Sequence, residues 1–403
     1  MFTTREKSHH IGSGAKKLIA GPKKIIEELS LPGQEDQVIY IHVPYCTNIC
    51  SFCNMRRTLN QPDKNYADLV VDNLNKIANT ERFKTSTIDS IYFGGGTPSA
   101  LTKEDLEKIL KNLNTKANLT KNAEITVETS LTDLTYEKLE TLMKNGVNRL
   151  SIGIQTFSDS GRKFLNRRGD GKYAIEKIKN ILSHGLKNVN IDIIYNYPGQ
   201  TEDDLKRDLE IINNLDIAGF SFYSLMIIDK SKLGKTLTDE QKKYNLEKDY
   251  NLFMKFVENL PEFEFLELTK MVRKNRDEYK YIKHRLNNKD TFPLGAGAGG
   301  NIHKTMIMNP FILDDYKNYL TDFSNQISMS FRDEYFDLKK KLSTLQLLYL
   351  NKDEFSKNFI EEIKMLIDKK YMYEEEKKYH LTAKGAFFGF NIQKMFYDKI
   401  LQK

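Results

Sequence analysis

Val38-Ile-Tyr-Ile-His-Val43-Pro-Tyr-Cys46-Thr-Asn-Ile-Cys50-Ser-Phe-Cys53 decides how the rest of the chain is read. Residues 38–43 are a β-branched, apolar run that predicts a buried strand. That strand delivers the chain into a loop holding all three cysteines of the 403-residue sequence in a C-x3-C-x2-C triplet. Three thiolates so close in sequence can grip one corner of a [4Fe–4S] cube, which ordinarily takes four protein ligands. The chain has no fourth cysteine, so one iron is left to an outside ligand, and an iron open beside a pocket is a place for chemistry rather than electron storage. Structural zinc is the weaker alternative, because it normally uses two separated ligand pairs and there is no second cysteine pair here. An odd cysteine count in a long chain excludes a disulfide framework.

Outward from the loop, strand and helix signals alternate. Tyr66 to Ala78 carries Leu69, Val70, Leu74 and Ile77 as a helical stripe. Ser90-Ile-Tyr-Phe93 predicts a second strand, running into Gly94-Gly-Gly-Thr-Pro98. Thr102 and Asp105 form a capping signal ahead of Leu106, Ile109, Leu110 and Leu113. Further strands are expected at 124–128, 149–155, 189–195 and 220–226, separated by helices that close at Gly146 and Gly185 or start at Thr201. Six strands each followed by a helix imply a parallel sheet with right-handed crossovers. The cysteine loop, the glycine run, Glu128, Gln155 and Asp192 fall at or near the strands' carboxyl ends, where barrels collect their reactive groups.

The flanks are less regular. Residues 1–35, with Gly12, Gly14, Gly21, Pro22 and Gly33, predict an arm over the main domain, and 36–290 the core with a helical extension. Thr238 to Asn288 is lysine- and tyrosine-rich and is expected to be helical. Pro293-Leu-Gly-Ala-Gly-Ala-Gly-Gly300 predicts a backbone loop closing over a ligand. Residues 291–403 form a smaller, mainly helical and winged-helix-like domain with a hairpin at 371–380. Its wing, Glu374-Glu-Glu376, would repel phosphates, so no nucleic-acid partner is expected. A net charge of +7 spread along the chain, no apolar run near roughly 18 residues and no secretory signal place the protein in the cytoplasm, off the membrane.

Four of these stretches together resemble a known family. Tyr40-Ile-His-Val-Pro-Tyr-Cys46-x3-Cys50-Ser-Phe-Cys53, Gly94-Gly-Gly-Thr-Pro98, Arg149-Leu-Ser-Ile-Gly-Ile-Gln155 and Asp192-Ile-Ile-Tyr-Asn-Tyr-Pro-Gly199 are similar to radical S-adenosylmethionine (SAM) enzymes related to oxygen-independent coproporphyrinogen dehydrogenase. The resemblance implies a partial (β/α)6 barrel, a [4Fe–4S] cluster on Cys46, Cys50 and Cys53, and two SAM molecules. It assigns the first SAM to Tyr40, Gly95 and Glu128, and the second to Phe52, Gly96, Thr97, Gln155, Arg167, Asp192 and Ser224. It also implies a flavodoxin- or ferredoxin-like electron donor.

Within that family, coproporphyrinogen dehydrogenases place another cysteine shortly after the triplet, where this chain has Asn54-Met-Arg-Arg57. Haem chaperones carry a His-Asn-x-x-Tyr-Trp signature, and this chain has no tryptophan. Arg273-x2-Arg276-x2-Tyr279, Gly295-Ala-Gly-Ala-Gly-Gly300 and Leu381-Thr-x2-Gly385 look most like the anaerobilin synthases. That branch implies haem as substrate, methyl transfer from SAM to a meso carbon, opening of the macrocycle and release of iron. Haem carriage and coproporphyrinogen decarboxylation stand as the alternatives. Arg273 and Arg276 are candidate propionate partners, and His9, His10, His42, His184, His284 and His303 candidate axial ligands.

Overall fold

The structure is a computed structural model that describes residues 1–6, 18–55, 57–355 and 359–401. Gly12, Gly14, His9, His10 and Arg56 lie outside the described residues. The expected α/β architecture is present. After β1 (Ile19–Lys24), the strands β2 (Gln37–Val43), β3 (Ile88–Gly95), β4 (Leu119–Thr129), β5 (Arg149–Gln155), β6 (Asn188–Tyr195) and β7 (Gly219–Ser224) pair in parallel, in sequence order. Helices return the chain across the outside at Tyr66–Ala78, Lys103–Lys116, Tyr136–Lys144, Gly171–Ser183 and Glu202–Asn214.

The local signals act as read. Thr102 Oγ1 accepts from Asp105 N at 3.1 Å and Thr201 forms a reciprocal box with Asp204, so each helix starts where its cap satisfies an orphan N–H. Gly146 and Gly185 stop their helices with φ of +92° and +89°, a conformation that a Cβ resists. The buried faces are Val, Ile, Leu and Phe from both sides of the sheet, with Ile39, Ile91, Val127, Leu150, Ile191 and Phe220 fully enclosed.

Two expectations change. Residues 238–288 are not uniformly helical: β8 (Phe263–Glu267) and β9 (Lys270–Arg273) form an antiparallel hairpin, with β9 paired to β7. The alternation Phe263-Glu-Phe265-Leu-Glu267 is the strand signal, and the exposed edge of β7 supplies the partner. The glycine run at 295–300 is no lid. β10 (Thr291–Leu294) lies parallel beside β2, and the turn after it packs under the cysteine strand, where a Cβ at Gly295 would strike the His42 carbonyl. Tyr316 and Tyr66 hydroxyls accept from Gly295 N and Ala296 N at 3.0 and 3.1 Å, so the turn's donors are taken by protein.

The sheet continues through β11 (Gly299–Ile302), β12 (Thr305–Met308) and β13 (Ile327–Phe331), which pairs with β1 of the arm. The ends, β1 and β8, do not meet, so the barrel stays open. A separate sheet of β14 (Tyr349–Asn351), β15 (Met372–Glu375) and β16 (Lys378–Leu381) carries the expected hairpin, beside the helices Ile360–Asp368 and Gly389–Leu401.

Candidate active site

Strand β2 ends at Val43 and the cysteine loop turns over the barrel mouth. The loop is pinned at both ends of the triplet. Thr58 carbonyl accepts from Cys46 N at 3.0 Å, while Phe164 and Leu165 carbonyls accept from Ser51 Oγ and N at 2.9 and 3.2 Å. Asn48 and Asn166 cross-brace it further: Asn48 Nδ2 donates to Asn166 O at 2.7 Å and Asn166 Nδ2 to Ile49 O at 2.6 Å. The three cysteines are free and face one cavity of about 210 Å³.

Burial raises the Cys46 and Cys53 thiols, while two side-chain donors reach sulfurs of the triplet. Arg167 Nη1 donates to Cys50 Sγ at 2.9 Å and Thr97 Oγ1 to Cys46 Sγ at 3.5 Å. Arg167 also donates to the Gly153 carbonyl, yet its Nε and that of Arg57 are buried without a partner. Among the described residues no three His, Cys, Asp or Glu side chains converge on a single ion. A cube spreads its ligands over separate irons, so three thiols flanked by cationic donors fit a [4Fe–4S] group better than the zinc alternative.

The glycine run explains itself through its neighbours. At Gly95, with φ of +115°, a Cβ would sit 2.7 Å from the His42 ring, and at Gly96 it would sit 2.5 Å from the Tyr45 carbonyl. Lacking side chains, these residues let β3 end flush against the cysteine strand. Gly95 N then donates to Glu128 Oε2 at 3.2 Å, and Tyr92 hydroxyl to Glu128 Oε1 at 2.7 Å. Burial pushes the Glu128 carboxyl up to about 7, opposed by the Tyr92 hydrogen bond and reinforced by Asp192.

A second cavity of about 410 Å³ adjoins the first and shares Phe52, Cys53, Glu128, Ser151, Gln155 and Asp192 with it. Strand register builds it: Glu128 lies beside Ser151, Gly153 beside Asp192, and Asp192 beside Ser221. A β-bulge between Gly153 and Gln155, with Gln155 at φ of +74°, accompanies its turn at the rim. Burial raises the Asp192 carboxyl, with Lys270 and Arg149 pulling the other way.

Phe52, Gly95, Gly96, Thr97, Glu128, Gln155, Arg167, Asp192 and Ser224 all line one or both cavities. Tyr40 lines neither; its hydroxyl is 3.0 Å from His42 Nδ1 and its ring stacks near Tyr92 and Tyr281. Arg273 and Arg276 are not at the mouth. They sit at the amino-terminal end of β6 and β7, where Arg273 pairs with Glu262 and bonds the Asn213 and Leu215 carbonyls, and Arg276 bonds Asp216 at 2.8 Å. Among the described histidine candidates, His184 meets Asn180 O, His284 meets Asp89 and His303 meets Glu28, and none of these or His42 lines either cavity.

Sequence reading missed the floor of the second cavity: Arg149, Lys270, Tyr223 and Tyr279. Arg149 is gripped by Asp277 through two bonds, both 2.9 Å, and stacks on Tyr279 at 4.3 Å. Lys270 Nζ donates to Asn190 Oδ1 at 2.6 Å, and burial, helped by the Arg149 charge, brings its amine down to about 8. The β8–β9 hairpin carries Lys270 in, and its alternating pattern is the one signal that could have found it.

Residues 40–212 match the Radical SAM superfamily model. The chain is 27% identical over 401 residues to the haem chaperone HemW of Lactococcus lactis, covering 90% of this chain and 98% of that one. It is 31% identical over 203 residues to the anaerobilin synthase of Escherichia coli O157:H7, covering 50% of this chain and 46% of that one. In fold it is similar to coproporphyrinogen III oxidase (HemN) from Escherichia coli, with a TM-score of 0.79, 19% identity and coverage of 99% and 97%. Three thiols at a barrel mouth lie inside the stretch that resembles the Radical SAM superfamily, and over its whole length the chain is similar in sequence to haem chaperones and in fold to coproporphyrinogen III oxidase.

Proposed function

We propose that this protein binds haem over the cysteine mouth and opens it with transfer of a methyl group from SAM. The observation that carries the reading is the second cavity, continuous with the thiol-lined one and floored by buried ionisable groups. A carrier needs a place to hold haem; it has no need of a charged chamber opening onto three thiols.

Cys46, Cys50 and Cys53 would hold a [4Fe–4S] cluster, with Arg167 donating to the Cys50 sulfur and Thr97 to the Cys46 sulfur. When bound, the cluster supplies an electron that cleaves the SAM sulfonium. Glu128 and Gly95 orient the first SAM, Glu128 with the lone pairs left over by Tyr92 and Gly95 N. Asp192, Gln155 and Ser224 would hold the second in the adjoining cavity, with Arg167 reaching it from the wall of the first, a carboxylate facing its ammonium and a cation its carboxylate. Tyr92 and Tyr279 give the chamber aromatic walls.

Carriage of intact haem is the second reading, and whole-length similarity to haem chaperones favours it: three such relatives cover 87% to 90% of this chain, against 50% for the anaerobilin synthase. Missing tryptophan, and with it the chaperone signature, weighs against carriage. One anaerobic experiment separates them. Protein, haem, a strong reductant and SAM with a labelled methyl group are mixed, and the tetrapyrrole is weighed by mass spectrometry. Label in a linear product supports ring opening; intact haem passed to an acceptor protein, with no 5′-deoxyadenosine formed, supports carriage. Release of carbon dioxide from coproporphyrinogen would replace both.

A further inference from the structure

A third cavity, of about 220 Å³, lies away from the barrel and shares no lining residue with the two at the mouth. It opens between the helices Lys280–Leu286, Asp333–Ser343 and Gly389–Leu401. Ile282, Leu286 and Leu342 give it aliphatic walls, and Arg285 and Lys339 give it two cations. No aspartate or glutamate is among its lining residues.

The two cations are not there to complete the protein's own pairs. Among the described residues Lys339 makes no hydrogen bond or ion pair. Arg285 donates to Tyr281 hydroxyl at 3.0 Å and stacks over that ring, and no carboxylate meets it. Burial brings the Lys339 amine down to about 8, and the Arg285 charge acts in the same direction. Lys339 is half-buried and Arg285 reaches solvent, so two cations without a carboxylate stand beside aliphatic walls, an arrangement that favours an anionic guest. Gln346 and Gln393 add amide groups to the lining. The head of the cavity is also connected to the barrel: Tyr281 stacks on Tyr92 at 4.1 Å, and Tyr92 bonds Glu128.

We propose that this cavity binds an apolar anion, a carboxylate or phosphate monoester whose head group meets Arg285 and Lys339 and whose body lies along Ile282, Leu286 and Leu342. The site is independent of the haem reading and stands or falls apart from it. Its chemistry is shared by fatty acids and by alkyl phosphates, and the two are told apart by direct competition.

The full-length protein is titrated with decanoate, decyl phosphate and decanol, following its thermal midpoint and, by calorimetry, its affinity. At least one anion is expected to raise the midpoint while decanol does not, and the tighter anion names the source. Added salt weakens the response. Lys339→Met is expected to lose about tenfold in affinity, the scale of a charge-assisted contact, with its own folding midpoint kept because Lys339 has no partner to lose. Arg285→Gln should weaken binding similarly; if it fails to fold once Tyr281 is released, the Lys339 variant decides alone. An equal response to decanol, no response to any probe, or undiminished anion binding by Lys339→Met overturns the proposal.

Discussion

The two ends of the parallel strands treat charge in opposite ways. At the amino-terminal floor, the protein completes its own pairs: Arg149 with Asp277, Arg273 with Glu262 and Arg276 with Asp216. At the carboxyl-terminal mouth, Glu128 and Asp192 are held above the usual carboxylate range by burial, and Arg57 and Arg167 keep an unpartnered Nε. Every one of these floor guanidiniums has a carboxylate partner, whereas Arg57 and Arg167 at the mouth meet only carbonyl oxygens and a sulfur. A structural ion pair and a ligand-binding group can thus be told apart by whether a guanidinium already has its carboxylate.

Removing a thiol breaks the mouth outright. Cys50→Ala is expected to drop iron after anaerobic reconstitution from about four atoms per chain to near none, with turnover lost. The readout is iron and sulfide analysis together with the visible spectrum. Retained iron would move the cluster elsewhere.

The floor answers in stability instead. Asp277→Asn removes the carboxylate bonded to Arg149 and paired with Lys270, leaving Arg149 only Glu124 at 3.9 Å, and is expected to destabilise the fold by about 3–5 kcal/mol in urea unfolding. Burial alone would raise the Asp277 carboxyl, but Arg149 and Lys270 hold it well below the usual range. Its stabilisation is therefore full above about pH 4 and lost as pH falls further.

Glu128 carries the opposite sign. Its folded pKa, about 7, is raised by burial, so the ligand-free protein gains nothing from it in acid and is destabilised as pH climbs from about 4.3 through 7. Glu128→Gln should flatten that part of the stability profile by about 1–3 kcal/mol while weakening SAM binding. Equal pH profiles for wild type and variant would remove Glu128 from the mouth's unfinished set.

The smallest effect sharpens the comparison. Glu262→Gln removes only the largely exposed partner of Arg273, so its stability cost is expected below about 1 kcal/mol. Haem affinity should not change, measured by the Soret band, because the side chain is at the far end from the cavity.

What was legible in the sequence follows from locality. The strand into Cys46 and the helix from Tyr66 to Ala78 are set by runs of neighbouring side chains, and Thr102 by its own cap, and the structure keeps all three. The glycine run was legible as glycine, though its cause is the His42 ring and the Tyr45 carbonyl rather than a ligand alone. Arg149 was read as part of a strand motif, but its role depends on Asp277, 128 residues away. Lys270 looked like one more lysine in a basic stretch because only β7's free edge draws its hairpin into the barrel. Arg273 and Arg276 were read as ligand partners from their charge, while their address at the opposite end is a property of the sheet.

The placement of β10 against β2 sets an order of events. Asp290 N reaches Gln37 Oε1 across 253 residues, so the strand that enters the metal-binding loop leaves the ribosome long before its neighbour does. Until the later segment arrives, Val38 to Ile41 present an unpaired edge and the support beneath His42 is missing. A ribosome stalled past position 250 would therefore display a nascent chain that has its sulfurs but no bed for them.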